Sequence, residues 1–167
     1  MAKYRIVPER SQVWIEAQSS LHPIHGEASG LEGELDLSLD GGRLVTDPTP
    51  VMRIRMPVER LRSGNPLNDL QMRRVIDADR FPAITGEASA VEPAGDGYRV
   101  TGELTFHGVT KTVADEITMI PDADDLVIEG QHQFDIRDHG VRPPKILMLR
   151  VYPEVTVRIR AVASPER

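Results

Sequence analysis

Alternation between apolar and polar residues is the feature that most constrains the fold of this chain. In residues 98–106 every second residue is apolar or glycine, and the residues between them are polar or charged. Successive side chains of a β-strand point to opposite faces of a sheet, so this segment is predicted to have one dry face and one solvated face. The dry positions are Tyr98, Val100, Gly102, Leu104 and Phe106.

The same period of two recurs along most of the chain. Turn signals such as Asp40-Gly41-Gly42 and Asp96-Gly97 separate the alternating segments. Strands do not alternate with helices, as a parallel sheet would require. These patterns predict an all-β protein of eight to ten antiparallel strands, either a barrel or a sandwich. The predicted strands cover residues 3–7, 11–19, 30–39, 52–58, 83–91, 97–106, 111–120, 126–137, 146–151 and 154–163.

One segment breaks this period. In residues 66–79 the apolar residues are spaced more like those of a helix than like those of a strand. Asn65 or Asn68 could cap the first turn, and the Phe81-Pro82 pair ends the segment. We therefore predict one short helix that lies across an end or a side of the sheet.

Length and composition indicate a single globular domain. The chain has 167 residues, enough for one full core, and we assign residues 1–163 to the domain and residues 164–167 to a disordered tail. A net charge of −6 with scattered basic residues argues against nucleic acid as a partner. The absence of cysteine excludes disulfides and thiolate chemistry. No apolar run approaches the roughly 20 residues of a membrane-spanning helix.

Signals for targeting and catalysis are also missing from the sequence. The residues after Met1 do not form a secretory leader, so a cytoplasmic location is expected, or a periplasmic or secreted one if a leader has been removed. Hydrolase, phosphate-loop and dinucleotide signatures are absent. Acidic residues such as Glu32, Glu34 and Asp36 fall on the solvated face. We predict no catalytic residue.

The dry face contains small residues among the large ones. Small inner residues leave space either for a bound ligand or for close packing of the strands, and the alternation alone does not distinguish these two interpretations. His132 also falls on this face, among apolar neighbours. It is either a core histidine held by one hydrogen bond or a polar contact that orients a ligand. The small residues are Gly33, Gly86, Ala88, Ala90, Gly102 and Gly130.

Three other histidines permit a second hypothesis. His22 and His25 flank a Pro-Ile pair, and His139 lies in a turn near the end of the chain. Imidazoles are the commonest metal ligands, and three of them with an open position would suit zinc, iron or haem. The alternative function is therefore a histidine-ligated metal or haem enzyme built on the same barrel.

Four motifs in order resemble those of the YceI-like family. The strongest is residues 98–113, which fit the pattern G-x-L-T-hydrophobic-x-G-V-T-basic. The other three lie at residues 6–13, 68–84 and 136–141, with matching spacing. The resemblance spans essentially the whole chain. It implies an extended lipocalin-like antiparallel β-barrel of about eight strands with one short helical segment.

The resemblance also implies a function. Members of this family hold a polyisoprenoid chain in a long hydrophobic cavity, and they act as binders or carriers. We therefore expect a non-catalytic carrier of an isoprenoid or another amphipathic lipid, of quinone or polyprenyl type, with no required cofactor. The expected ligand-binding residues are Val13, Ile15, Ile54, Met56, Val100, Leu104, Phe106, His132, Phe134 and Ile136 on the wall, with Asp69, His139 and Lys145 at the mouth.

The chain departs from the family pattern in its second strand and near its end. Ile15, Ala17 and Ser19 stand where the family usually has aromatic residues and a histidine, and His139-Gly140 replaces the usual Phe-Gly. These changes leave three alternatives open: a shorter ligand, a more polar ligand or a bound metal. Two further readings remain: pairing of sheet edges into a homodimer, and a solid barrel whose outer surface, around Trp14, binds a protein.

Overall fold

The computed structural model describes residues 1–143, 145–146 and 149–166, with side chains described for residues 1–143 and 150–166. The strands are β1 (Ala2–Ile6), β2 (Gln12–Ser19), β3 (Ile24–Ala28), β4 (Glu32–Leu37), β5 (Leu39–Asp40), β6 (Arg43–Leu44), β7 (Val51–Pro57), β8 (Leu61–Arg62), β9 (Ala83–Ala94), β10 (Gly97–Phe106), β11 (Val109–Asp122), β12 (Asp125–Asp135), β13 (Lys145–Ile146) and β14 (Leu149–Pro165). The helix α1 spans Pro66–Ile76. Single 3-10 turns lie at Pro8–Arg10, Val58–Arg60 and Ile136–His139.

These elements form a closed, eight-stranded antiparallel barrel in the described part of the chain. Three barrel strands are each built from two shorter ones that run in line. Strands β1 and β2 both pair with β14, on either side of the Pro8–Arg10 turn. Strand β4 pairs with β1 and β7, and β3 pairs with β2 and β8. Strands β4 and β3 therefore form the second barrel strand, and β7 and β8 form the third. Strands β9 to β12 follow in sequence order, and β14 returns to β1 to close the barrel.

The alternation in the sequence becomes the inner and outer faces of this barrel. Tyr98 and Phe106, the first and last dry positions of β10, are buried, and so is Gly102 between them. The Tyr98 hydroxyl accepts a hydrogen bond of 2.7 Å from the Leu44 backbone N–H. This bond ties the small β5–β6 hairpin to the barrel.

Two of the inner glycines are required by close backbone contact. A Cβ atom on Gly33 would lie 2.5 Å from the Arg53 carbonyl oxygen, and one on Gly102 would lie 2.4 Å from the Glu87 carbonyl oxygen. Gly102 follows a register shift between β9 and β10, so it permits the bulge that bends the wall. Close strand packing therefore accounts for these two small residues.

The helix is shorter at its C-terminus than the sequence predicted. Asn65 caps it, since its side-chain oxygen accepts hydrogen bonds from the backbone N–H groups of Leu67 and Asn68. Asp77 adopts a left-handed conformation with φ of 56°, which ends the helix after Ile76. The prediction that Asn65 or Asn68 caps the helix resolves to Asn65.

The predicted disordered tail is wrong for the residues that the structure describes. Ser164 and Pro165 continue β14 and pair with Arg5 and Tyr4 of β1. Glu166 then accepts a hydrogen bond of 2.6 Å from the Arg5 guanidinium. The C-terminal residues therefore take part in closing the barrel.

Candidate functional site: an apolar barrel cavity with one histidine–aspartate pair

The barrel contains a partly open cavity of about 240 Å³. Its wall is almost entirely apolar, because the dry faces of all eight barrel strands converge on it. It is larger than the cavity of about 150 Å³ that admits benzene in an engineered protein, and smaller than typical small-molecule sites of roughly 300–1,000 Å³. The lining residues include Leu31, Leu35, Met52, Ile84, Gly86, Ala88, Val113, Ile117, Ile128, Val157, Ile159 and Ala161.

Some of the residues predicted to form the wall line this cavity and others do not. Ile54, Met56, Val100, Leu104, Phe106, His132 and Phe134 line it. Val13, Ile15 and Ile136 pack in the hydrophobic core or against it, but are not part of the cavity lining. These placements give the geometry of the site, and contact with a ligand stays a prediction for each residue.

His132 forms a short contact with Asp115 at the wall of the cavity. The Nδ1 atom of His132 lies 2.8 Å from one carboxylate oxygen of Asp115 and 3.0 Å from the other. The imidazole also stacks on Phe134, with ring centroids 5.4 Å apart and planes 13° from parallel. The carboxylate and the stacked ring together fix the orientation of His132.

The partner of Nδ1 determines what the other ring nitrogen presents. A carboxylate only accepts hydrogen bonds, so Nδ1 carries the proton and donates it to Asp115. In a neutral imidazole the Nε2 atom is then an acceptor. This Nε2 atom is buried, and no hydrogen-bond partner for it exists among the described residues. Buried polar atoms are normally paired, so the cavity wall holds one unused acceptor.

The pair lies where the backbone pairing of β11 with β12 ends. Strands β11 and β12 pair over residues 117–122 and 125–130, but in the described structure this ladder does not continue into residues 109–116 and 131–135. In the continued register Asp115 would face His132, so their side chains bridge the two strands just beyond the last backbone pair. The wall is therefore held there by side chains.

His139 lies at the end of the barrel next to the β10–β11 turn. Its side chain is buried, and its Nδ1 atom donates a hydrogen bond of 2.9 Å to the Val109 carbonyl oxygen. Its ring contacts those of Phe106 and Phe134 at centroid distances of 5.6 and 5.7 Å. His139 is not among the cavity-lining residues, and its role at a mouth stays a prediction. It packs behind two aromatic wall residues.

Asp69, another residue predicted at the mouth, is held by the loop before α1, and its contact with a ligand stays a prediction. Its carboxylate is buried and accepts hydrogen bonds from the Ser63 backbone N–H at 2.8 Å and the Ser63 hydroxyl at 2.7 Å. It therefore fixes the loop that leads into α1, and it does not line the cavity. The side chain of Lys145, the third predicted mouth residue, lies outside the described residues.

The histidines proposed as metal ligands are held apart by different partners. The Nδ1 atom of His22 donates to the Pro23 carbonyl oxygen at 2.9 Å, and His25 lies 3.6 Å from the Glu16 carboxylate. Within the part of the chain that the structure describes, no three His, Asp or Glu side chains are grouped so that they could hold a metal ion. The metal hypothesis has no side-chain arrangement to support it there.

The sequence pattern of β11 also indicates Asp115 as a site residue. Asp115 falls between Val113 and Ile117 in the alternation of β11, which places a carboxylate on the dry face. A charged residue at an inner strand position needs a partner, because burial without one is costly. His132, the other polar residue on that face, is the partner that the register supplies.

Among the described residues, no helix combines the length and the apolar character needed to cross a bilayer.

Curated relatives match only part of the chain. A UPF0312 protein of Pseudomonas aeruginosa is 32% identical over 88 residues, which are 49% of this chain and 41% of the relative. A UPF0312 protein of Yersinia pestis is 43% identical over 44 residues, which are 26% of this chain and 23% of the relative. The matches thus span less than half of the length of these relatives.

Solved structures share the fold over nearly the full chain. BcnA of Burkholderia cenocepacia superposes with a TM-score of 0.81 at 21% identity, covering 95% of this chain and 99% of BcnA. A polyisoprenoid binding domain from Saccharophagus degradans, implicated in plant cell wall breakdown, gives 0.78 at 12% identity, covering 99% and 100%. The YceI-like domain profile matches residues 4–163. With this match and the closed barrel, the chain belongs to the YceI-like family.

Proposed function

We propose that this protein is a non-catalytic carrier that holds an isoprenoid or another amphipathic lipid of quinone or polyprenyl type in its barrel. The observation that carries the proposal is the barrel cavity of about 240 Å³ with an almost wholly apolar wall. The polyisoprenoid binding domain from Saccharophagus degradans, which shares the fold, supports the same class of ligand.

The driving force for binding is the removal of a hydrocarbon tail from water. Burial of about 200 Å² of apolar tail contributes about 5 kcal/mol at roughly 25 cal/mol per Å². Part of this is offset by the lost freedom of the ligand and of the side chains around it. Methionines such as Met52 and Met56 on the wall can adapt to the bends of a prenyl chain, because their side chains are flexible.

The size of the cavity favours a short tail, or one segment of a longer tail. At about 240 Å³ it lies below the range of typical ligand sites. The backbone pairing of β11 with β12 ends next to Asp115 and His132, and we infer that a longer chain extends past this pair. We infer that the head group lies beside this pair, with the tail between Ile54, Leu104 and Ile117.

Extraction of the purified protein tests the proposal. Protein isolated without detergent is extracted with organic solvent, and the extract is analysed by mass spectrometry. We expect a prenyl lipid in near-stoichiometric amount. No recovered lipid, together with no uptake of added prenyl lipid by the delipidated protein, would overturn the carrier function.

Two further predictions accompany the proposal. Metal analysis of the same preparation tests the alternative of a metal or haem enzyme, and we expect no stoichiometric metal and no visible absorption band. The expected cytoplasmic location is checked by fractionating the source cells and probing each fraction with an antibody.

A further inference from the structure

The wall of the cavity contains one hydrogen-bonding site that the carrier proposal does not explain. A tail needs only apolar surface, yet Asp115 and His132 line the cavity beside the hydrocarbon residues. Placing a carboxylate and an imidazole there costs free energy unless both are paired. The Nδ1 contact of 2.8 Å pairs them with each other, and the Nε2 atom of His132 is buried without a hydrogen-bond partner among the described residues.

The chemistry of this atom specifies its ligand. Because Asp115 holds the proton on Nδ1, Nε2 presents a lone pair and accepts a hydrogen bond. A hydroxyl group donates one, whereas an ether or a quinone carbonyl has no proton to give. A phosphate would bring a further negative charge towards the Asp115 carboxylate, and like charges at short range repel. The site therefore discriminates between head groups that share a tail.

The position of the pair suits a head group. His132 and Asp115 lie just beyond the last backbone pair of β11 and β12, at the edge of the apolar wall. Phe134 stacks on the imidazole and fixes its orientation. Because Nε2 is buried, a head-group hydroxyl reaches it when the neighbouring wall side chains shift. A preorganised acceptor loses little entropy when it binds.

We propose that the His132–Asp115 pair binds the hydroxyl group of a prenyl alcohol, a prenylated phenol or a quinol. This inference rests on the proposed carrier function, and it narrows the ligand to lipids whose head donates a hydrogen bond to Nε2. The oxidised quinone and the prenyl phosphate are the disfavoured forms. In a quinone pool the protein would select the reduced member.

Three lipids with the same tail test the proposal. Delipidated protein is equilibrated by dialysis at pH 8 with farnesol, farnesyl methyl ether or farnesyl phosphate, and bound lipid is quantified by mass spectrometry. We expect farnesol to bind about tenfold more tightly than the ether, the effect of one buried hydrogen bond. Equal binding of the alcohol and the ether, or tighter binding of the phosphate, would overturn the head-group assignment. Failure of all three lipids to bind would overturn the carrier function as well.

Two variants trace the discrimination to this pair. His132→Leu removes the acceptor and keeps an apolar wall, so it should bind farnesol and the ether equally. In Asp115→Asn no carboxylate holds the proton on Nδ1, so the preference for farnesol over the ether should fall at least fivefold. Glu116→Gln is the control, since it removes the same charge from the exposed face of β11, and it should keep the preference. A preference that survives His132→Leu contradicts the proposal. If Asp115→Asn fails to fold, His132→Leu carries the test.

Nitrogen NMR reads the tautomer directly. The chain has five histidines, so a spectrum of His132→Leu identifies the His132 signals by difference. We expect Nε2 of the lipid-free protein to be unprotonated, and its resonance to shift with farnesol and not with the ether. A proton on Nε2 in the lipid-free protein would overturn the proposal.

Discussion

Gly86 of β9 pairs with Ile54 of β7, and the Ile54 side chain occupies the space that a side chain on Gly86 would need. A Cβ atom on Gly86 would lie 3.1 Å from Ile54 Cγ1. Gly130 and Ile117 have the same relationship, at 2.9 Å from Ile117 Cγ2. Isoleucines from neighbouring strands therefore cover these two inner glycines, and the cavity lies beyond them. Because Gly86 and Gly130 have no side chain, the isoleucine side chains can pack directly against the backbone of the neighbouring strand.

This relationship predicts different costs for the same substitution at two glycines. Gly86→Ala should lower the free energy of unfolding by at most about 1 kcal/mol, because Ile54 can shift by a few tenths of an ångström towards the cavity. Gly33→Ala should cost about 3 kcal/mol or more, since the new Cβ would meet the Arg53 carbonyl oxygen at 2.5 Å and the backbone must move. Urea denaturation measures both values. Equal costs would show that the wall at Gly86 has no room to give.

His139 is predicted to stabilise the barrel end. His139→Ala removes a buried ring from between Phe106 and Phe134 and leaves the Val109 carbonyl oxygen without its donor. The expected loss is about 3 kcal/mol in the free energy of unfolding. His25→Ala is the matched control, since 70% of the His25 side chain is exposed, and it should change stability by less than about 0.5 kcal/mol. Similar values for the two variants would contradict the packing described for His139.

The pH dependence of stability should include Asp125. Hydrogen bonds from the Ser164 hydroxyl, and then from the Arg10 guanidinium, hold the pKa of this carboxyl below its ordinary value. A lowered folded-state pKa means that the stabilisation is present above the unfolded value of about 3.9 and is lost as the pH falls through the lower folded value.

Replacement of Asp125 tests this link. Asp125→Asn should destabilise the protein at pH 7, and the difference from wild type should shrink as the pH falls below about 4. Asp124→Asn, at the neighbouring position, removes the same charge without touching the Ser164 bond. Thermal unfolding from pH 3 to pH 7 provides the comparison. A constant difference between wild type and Asp125→Asn over that range would show that the carboxylate does not contribute in its charged form.

The alternation in the sequence was enough to predict most of the fold and part of the site. It placed Ile54, Val100, Leu104 and Phe134 on the inner face, and all four line the cavity. Which face of a strand is apolar follows from the local order of side chains, so one sequence is enough to predict it. The resemblance to the family motifs then favoured a barrel over a sandwich.

What the sequence did not reveal depends on register and on interrupted strands. The Asp115–His132 pair exists because two strands align at that point, and register is a property of the assembled sheet. Val13 and Ile15 also have the expected alternation, and they pair with Ile159 and Val157 of β14, which line the cavity, but neither is itself among the lining residues. The C-terminal residues were predicted to be a disordered tail from their sequence, but Ser164 and Pro165 pair with β1.

The central claim is that lipid occupies the barrel cavity, and a pair of alanine-to-leucine variants tests it most directly. Ala88 lines the cavity, whereas Ala114 lies on the exposed face of β11. Wild type, Ala88→Leu and Ala114→Leu are purified alike, and the lipid extracted per mole of folded protein is measured by mass spectrometry. We predict that Ala88→Leu carries at least fivefold less prenyl lipid, because leucine fills the space of the tail, and that Ala114→Leu matches wild type. Equal lipid in all three proteins would contradict the account.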